Sequence, residues 1–216
     1  AEAASAVDLA TDKAAYLSAL QIVRGHLRAG GELYAAGDRE LGPQHLRHPQ
    51  AEMLTSLAPA LASHGATAID PAIDALASAG EEGASPARIA ELQSAALAAI
   101  ASASEAASPS LKDRLLAAAK TLTVAGDEYS IAVKDGVIVN LHEYHDAYGF
   151  IATVIGDLKA LKGSSDAEEQ AIRTALDQAM IAATAAPTVV PPLEGLKPAS
   201  VIYGAAARAE IAARSL

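Results

Sequence analysis

Helix-start signals recur along the whole chain and constrain it to a helical fold. Asp70, Ser85 and Ser108 each stand immediately before a proline. An oxygen-bearing side chain caps free N–H groups at the start of a helix, and a proline in the first helical position gives up only an N–H that would lack a partner. We therefore predict that helices begin at these three residues.

Two further helices carry a second start signal, the capping box. Asn140 and Ser165 are each followed three residues later by a glutamate, Glu143 or Glu168, whose side chain can bond back to the capping residue. The stretch before Asn140, "KDGVIVN", indicates a turn and a short extended piece. We expect the helix that follows to reach about Leu161.

The amino-acid composition supports the same fold class. Hydrophobic residues are 51% of the 216, but aromatic residues are only 3%, so alanine supplies much of the apolar content. Alanine favours helices and is depleted in strands. We predict a single all-α domain over residues 1–216, a helical bundle of about seven helices, with residues 186–198 as an extended, proline-rich crossing.

An internal pseudo-repeat relates residues 8–64 to residues 109–162. In each half a long helix nears its end with glycine, an acid, any residue and a tyrosine, which is Tyr34 in the first half and Tyr129 in the second. A glycine-containing loop and the motif H-x-x-H follow in both halves. Two helical hairpins packed about a pseudo-two-fold axis would explain this pattern and would make the two histidine pairs equivalent.

The first histidine pair, His45 and His48, stands just before Pro49, with Glu52 four residues after His48. On one continuous helix these histidines and the glutamate would share a face. A proline, however, disfavours helical geometry in the residue before it. We therefore expect a helix to begin near Pro49, with both histidines in the turn or short helix that leads into it.

The second pair, His142 and His145, lies in the first turns of the helix capped by Asn140. The positive end of a helix dipole disfavours a charged imidazolium, and the neutral imidazole is the form that binds metals. Glu143 and Asp146 lie on adjacent faces. We expect these two acids either to support the metal ligands or to be solvated.

His26 lies in the first predicted helix, residues 8–36, next to Gly25 and shortly before Gly30 and Gly31. A glycine inside a helix costs about 1 kcal/mol relative to alanine, so these glycines indicate the close approach of another helix or of a bulky ligand. A haem with histidines as axial ligands is such a ligand. The tyrosines expected to line its pocket are Tyr34, Tyr144 and Tyr148.

The residue types predict a transition metal or a haem as the ligand. Imidazole with carboxylate suits iron, zinc and copper(II), and the absence of cysteine argues against a copper(I) carrier. The predicted metal ligands are His45, His48, His142, His145, Glu52 and His26. The alternative is a helical scaffold or interaction module in which the histidines are structural. No nucleophile or nucleotide-loop motif points to an enzyme.

Charge and hydropathy argue against two other classes of protein. The net charge is −10 and basic residues do not cluster, which argues against nucleic-acid binding. No apolar run approaches the roughly 20 residues of a membrane span. The first residues, "AEAAS", look like the start of a chain after removal of a signal peptide, so we expect export to the periplasm.

The segment "AGDEYSIAVKDGVIVNLHEYHDAYGFI", residues 125–151, resembles part of the periplasmic helical domains of bacterial high-affinity iron permeases. The matching residues are Glu128-Tyr129, Asp135-Gly136 and Glu143-Tyr144 with Asp146. This chain departs from that pattern at His142 and His145. Imelysin-like iron-uptake bundles are also all-helical, but their G-x-H-x-x-E signature is absent. The resemblance implies handling of iron or haem in the cell envelope, for uptake or storage, with an envelope transporter as partner.

Overall fold

A computed structural model describes residues 8–216, so the expectation drawn from "AEAAS" lies outside the described residues. Helices dominate this part of the chain, which confirms the all-α prediction. The helices are α1 (Lys13–Ala35), α2 (Leu41–Glu52), α3 (Leu54–Ser63), α4 (Ile69–Glu81), α5 (Pro86–Ala106), α6 (Leu111–Ala132), α7 (Leu141–Ala160), α8 (Asp166–Ala183) and α9 (Ser200–Arg214). None of these helices combines the length and the apolar character needed to cross a bilayer.

The only strands in residues 8–216 form a small hairpin between α6 and α7. Its antiparallel strands are β1 (Val133–Lys134) and β2 (Val137–Ile138). Asp135 and Gly136 form the turn, with φ angles of 51° and 76°. Positive φ at both central residues matches the twist of the strands and is typical of an Asp-Gly hairpin turn. The hairpin reverses the chain and brings α7 back against α6.

Three of the predicted helix caps are confirmed. The hydroxyl of Ser85 accepts a hydrogen bond from the backbone of Arg88 at the start of α5. Asn140 accepts from the backbone N–H groups of the first turn of α7, and Ser165 caps α8 in the same way. Each of these bonds satisfies an N–H that has no partner within its own helix.

The other two predicted caps are wrong. Helix α6 is capped by Ser110, whose hydroxyl accepts from the backbone of Asp113 while the Asp113 carboxylate accepts from the backbone of Ser110. This reciprocal box satisfies two N–H groups, whereas Ser108 would satisfy one, and Ser108 instead has a φ of 47°. Helix α4 begins at Ile69, so Asp70 lies inside its first turn.

The predicted helix start near Pro49 is also wrong, because α2 runs from Leu41 through Pro49 to Glu52. His45 and His48 are therefore helical residues on one face. Packing against α1 overrides the local preference of the proline, since a Cβ on Gly30 would lie 2.9 Å from the side chain of Leu46. The helix breaks one turn later, at Met53, so the single helix predicted to begin near Pro49 is divided between the end of α2 and α3.

The nine helices of residues 8–216 form two groups of four, with α3 as an addition to the first group. Helices α1, α2, α4 and α5 pack in a ring, and α6, α7, α8 and α9 pack in the same order. Each ring encloses its own hydrophobic core. Helix α1 packs against α6 and α7 and joins the two groups. Residues 184–199, which join α8 to α9, contain no helix or strand.

Two buried tyrosines occupy matching positions in the rings. Tyr34 on α1 donates its hydroxyl hydrogen to the carbonyl of Ala84 at 2.6 Å, in the segment between α4 and α5. Tyr129 on α6 donates to the carbonyl of Lys197 at 2.9 Å, in the segment between α8 and α9. The pseudo-repeat over residues 8–64 and 109–162 stays a prediction, and this layout is the one it implies.

Candidate metal centre

Two glycines bring α1 and α7 into close contact. A Cβ on Gly25 would lie 2.9 Å from the backbone nitrogen of Phe150, and a Cβ on Gly149 would lie 2.9 Å from the carbonyl carbon of Gly25. Neither helix could carry a side chain there without a shift of the backbone. The contact places His26, the residue after Gly25, beside Asp146, which is almost one turn before Gly149.

The carboxylate of Asp146 is the centre of a cluster of histidines. Its Oδ1 accepts a hydrogen bond from Nδ1 of His26 at 2.8 Å and lies 3.0 Å from Nδ1 of His45. Its Oδ2 lies 3.9 Å from Nδ1 of His48 and 3.9 Å from Nε2 of His142. The Asp146 side chain is 3% exposed. Four imidazoles therefore surround one buried carboxylate.

The two H-x-x-H pairs meet in this cluster. Nε2 of His45 lies 3.2 Å from Nδ1 of His145, and Nε2 of His142 lies 3.1 Å from Nδ1 of His48. The rings of His45 and His142 are stacked, with centroids 3.9 Å apart. Together with His26, five of the six histidines in the chain lie in one place.

Burial sets the protonation states in the cluster. It lowers the pKa of His142 and of His145 to about 4, and the neighbouring His45 acts in the same direction. Burial alone would raise the pKa of Asp146, but the hydrogen bond from His26 and the charge interactions with His26 and His45 hold it below its usual range. At neutral pH the imidazoles of His142 and His145 are thus neutral and the carboxylate of Asp146 is ionised, the states that bind a metal ion.

One buried nitrogen in the cluster has no hydrogen-bond partner. Nδ1 of His45 is fully buried, and although Oδ1 of Asp146 is 3.0 Å away, the geometry is not that of a hydrogen bond. A buried polar atom without a partner costs about 1–3 kcal/mol. Its residue, His45, belongs to a set with His26, His48 and Asp146 in which each residue offers one donor atom and these atoms lie within 4.8 Å of one another. A metal ion bound by this set would give the nitrogen its partner, so the residues fit a metal.

The remaining predicted residues lie at the edge of the cluster or outside it. Oε1 of Glu52 is 3.9 Å from Nε2 of His48, and the Glu52 side chain is 59% exposed. Tyr34 donates its hydroxyl to Ala84, Tyr144 donates to the carbonyl of Thr188, and Tyr148 donates to Glu32; all three acceptors lie outside the cluster.

Sequence analysis missed the central role of Asp146. Its expected roles were to support the ligands or to be solvated, whereas it is buried among four imidazoles. A usable signal was present, because Asp146 follows His142 by four residues and so shares its face of the helix. The contact with His26 carried no signal of its own, since it depends on how α1 and α7 pack.

Comparison with known proteins identifies one family. The model of the iron permease-associated 4-helix bundle domain matches residues 104–213, just over half of the chain. These residues contain the second ring of helices, α6 to α9, with His142, His145 and Asp146. The other three histidines of the cluster, on α1 and α2, lie outside the matched range. No curated protein and no solved structure matches the chain.

Proposed function

Because this chain belongs to the family of the iron permease-associated 4-helix bundle domain, we propose that it binds a transition metal ion, with iron favoured, at the histidine–aspartate cluster. The observation that carries the proposal is the convergence of four donor atoms within 4.8 Å, three of their residues being buried. In this proposal the protein acts in the periplasm, in iron uptake or storage, together with an envelope transporter.

The donor set suits a divalent first-row metal. Imidazole nitrogens and a carboxylate oxygen bind Fe(II), Zn(II) and Cu(II), with affinity rising towards copper, so the donors alone do not select iron. The family relationship favours iron. The chain's own contribution is to hold the imidazoles of His142 and His145 neutral and to supply one buried negative charge, that of Asp146.

The geometry favours an ion over a haem. An axial pair of histidines needs room for a porphyrin between the two rings, but the His45 and His142 rings are 3.9 Å apart and the His48 and His142 rings are 4.1 Å apart. A cavity of about 610 Å³ lies elsewhere, beside the ion pair of Arg24 with Asp157, and none of the histidines lines it.

A structural role for the histidines is the second candidate, and one observation favours it. His45 pairs with His145 and His48 pairs with His142 through direct contacts between ring nitrogens, so most of the cluster is hydrogen-bonded without an ion. Such a network would stabilise the junction between the two rings of helices. It would bind no metal ion.

Titration with Fe(II) under anaerobic conditions and with Zn(II), followed by calorimetry, separates the two candidates. Metal binding should be lost or weakened at least about 100-fold in Asp146→Asn, which keeps the shape of the side chain and removes its charge. Asp157→Asn, on the same helix but paired with Arg24, is the matched control and should bind as the natural chain does. The proposal is overturned if the natural chain binds neither metal at tens of micromolar.

A further inference from the structure

The two oxygens of Asp146 face two different pairs of histidines. Oδ1 lies 2.8 Å from Nδ1 of His26 and 3.0 Å from Nδ1 of His45. Oδ2 lies 3.9 Å from both Nδ1 of His48 and Nε2 of His142, and these two nitrogens are 3.1 Å apart. The cluster therefore contains two sets of three donors that share one carboxylate.

Each set of three has the dimensions of a metal site. With bonds of about 2.0–2.1 Å, two donors on one ion lie about 2.9 Å apart in octahedral geometry and about 3.3 Å apart in tetrahedral geometry. The distances around Oδ1, 2.8 and 3.0 Å, match the octahedral value. In the other set the two nitrogens are 3.1 Å apart and each lies 3.9 Å from Oδ2, so these distances bracket the tetrahedral value.

We propose that the cluster binds two metal ions bridged by the carboxylate of Asp146. The inner ion lies between Oδ1 and the Nδ1 atoms of His26 and His45. The outer ion lies between Oδ2 and the pair formed by Nδ1 of His48 and Nε2 of His142. Pairs of ions held close together by protein ligands are a recurrent arrangement in metalloproteins. This inference rests on the proposed function and specifies the number of ions.

The fifth histidine orients a ligand instead of binding an ion. Nδ1 of His145 lies 3.2 Å from Nε2 of His45. When Nδ1 of His45 binds the inner ion, its Nε2 carries the proton and donates it in a hydrogen bond to His145. A histidine ligand commonly donates its second N–H in this way, which fixes its tautomer and the orientation of its ring.

The surroundings offset the added positive charge. Two divalent ions bring four positive charges against the single charge of Asp146. Glu52 approaches His48 to 3.9 Å, the charge of Glu128 interacts with that of Asp146, and the charge of Asp38 acts on His145. These carboxylates reduce the cost of holding two cations in one buried site.

The two sites differ in their access to water. The side chains of His26 and His45 are 5% and 0% exposed, whereas those of His48 and His142 are 24% and 17% exposed. The outer ion can complete its coordination with water and exchange with solution, whereas the inner ion is enclosed. We therefore expect a chelator to remove the two ions in two phases, the outer ion first.

Equilibrium dialysis of the full chain against Zn(II), followed by elemental analysis, tests the number of ions. Two ions per chain support the inference. One ion per chain overturns it and leaves the proposed function standing, with the ion shared by His26, His45, His48 and Asp146. No bound ion overturns both. Loading with Cu(II) gives a second readout, because two bridged Cu(II) ions couple magnetically and lose the paramagnetic resonance signal of isolated ions.

Single substitutions identify the two sites separately. His26→Ala should remove the inner ion and His142→Ala the outer one, each lowering the count from two to one and restoring the signal of an isolated Cu(II). His64→Ala is the matched control, because His64 packs on Tyr16 outside the cluster, and it should leave the count at two. Thermal unfolding of the metal-free variants checks that each is folded. A count of two in both site variants would overturn the assignment.

Discussion

Nδ1 of His26 donates a hydrogen bond to Oδ1 of Asp146 at 2.8 Å, although 120 residues separate them in the chain. His26 lies on α1, outside the range that matches the family model, and Asp146 lies on α7, inside it. The matched helices contain only His142, His145 and Asp146 from the cluster. The candidate metal centre therefore exists only where the two rings of helices meet.

The contact between α1 and α7 can be tested with two glycines on the same helix. Gly149→Ala would force a Cβ against the backbone of Gly25, so it should lower the free energy of unfolding by about 1–3 kcal/mol and weaken metal binding. Gly156→Ala meets nothing within 4 Å and should stabilise the protein by up to about 1 kcal/mol. Urea denaturation measures both, and an equal effect of the two changes would refute the close contact.

The role of His145 can be distinguished from that of a ligand. If it orients His45 through the 3.2 Å contact between their nitrogens, His145→Ala should weaken metal binding about 10- to 100-fold without changing the number of ions bound. His145→Asn, which retains a hydrogen-bond acceptor, should restore part of the affinity. Loss of one ion from the count in both variants would instead identify His145 as a direct ligand.

Stability should depend on pH through Glu128. Burial raises the pKa of Glu128 from 4.5 to about 7, and the charges of Glu143, Asp146 and Asp127 act in the same direction. The folded chain thus binds the proton more tightly than the unfolded chain. The free energy of unfolding should therefore fall as the pH rises from about 4.5 to about 7.

Glu128→Gln should remove this dependence and make the protein more stable than the natural chain at pH 8, by on the order of 1–2 kcal/mol. Urea denaturation at pH 5 and pH 8 measures the difference. Glu91→Gln, an exposed change on α5, is the control and should leave the pH dependence as it is. If Glu128→Gln loses as much stability between pH 5 and pH 8 as the natural chain does, the titration of Glu128 does not explain the pH dependence.

Tyr34, one of the tyrosines predicted to line a haem pocket, should act on stability alone, and so should Tyr129, its counterpart in the second ring. Tyr34→Phe removes a hydrogen bond to Ala84, and Tyr129→Phe removes the matching bond to Lys197. Each change should cost about 0.5–1.5 kcal/mol and leave metal binding unchanged. Tyr203→Phe, which loses only an exposed bond to Asp127, should have a smaller effect. The haem prediction would be supported if haemin changed the absorption spectrum of the natural chain and either buried variant abolished that change.

Local signals in the sequence identified most of the helices correctly. Ser85, Asn140 and Ser165 cap the helices they were predicted to cap, because a cap depends only on the side chain and on N–H groups within three residues. The prediction of a helix start near Pro49 was wrong because it also relied on neighbouring residues alone. The local preference of this proline against a helix is real, but packing of α2 against α1 outweighed it.

The sequence by itself determined the all-helical class, the two H-x-x-H pairs and the neutral imidazoles expected at a helix start. Only the tertiary structure decided that His26 joins these pairs and that Asp146 lies at their centre. The contacts of His26 with Asp146 and of His45 with His145 span 100 or more residues, and they depend on the close approach of α1 and α7 at Gly25 and Gly149. A pattern along the chain shows which residues share a helix face, whereas the packing of helices decides which faces meet.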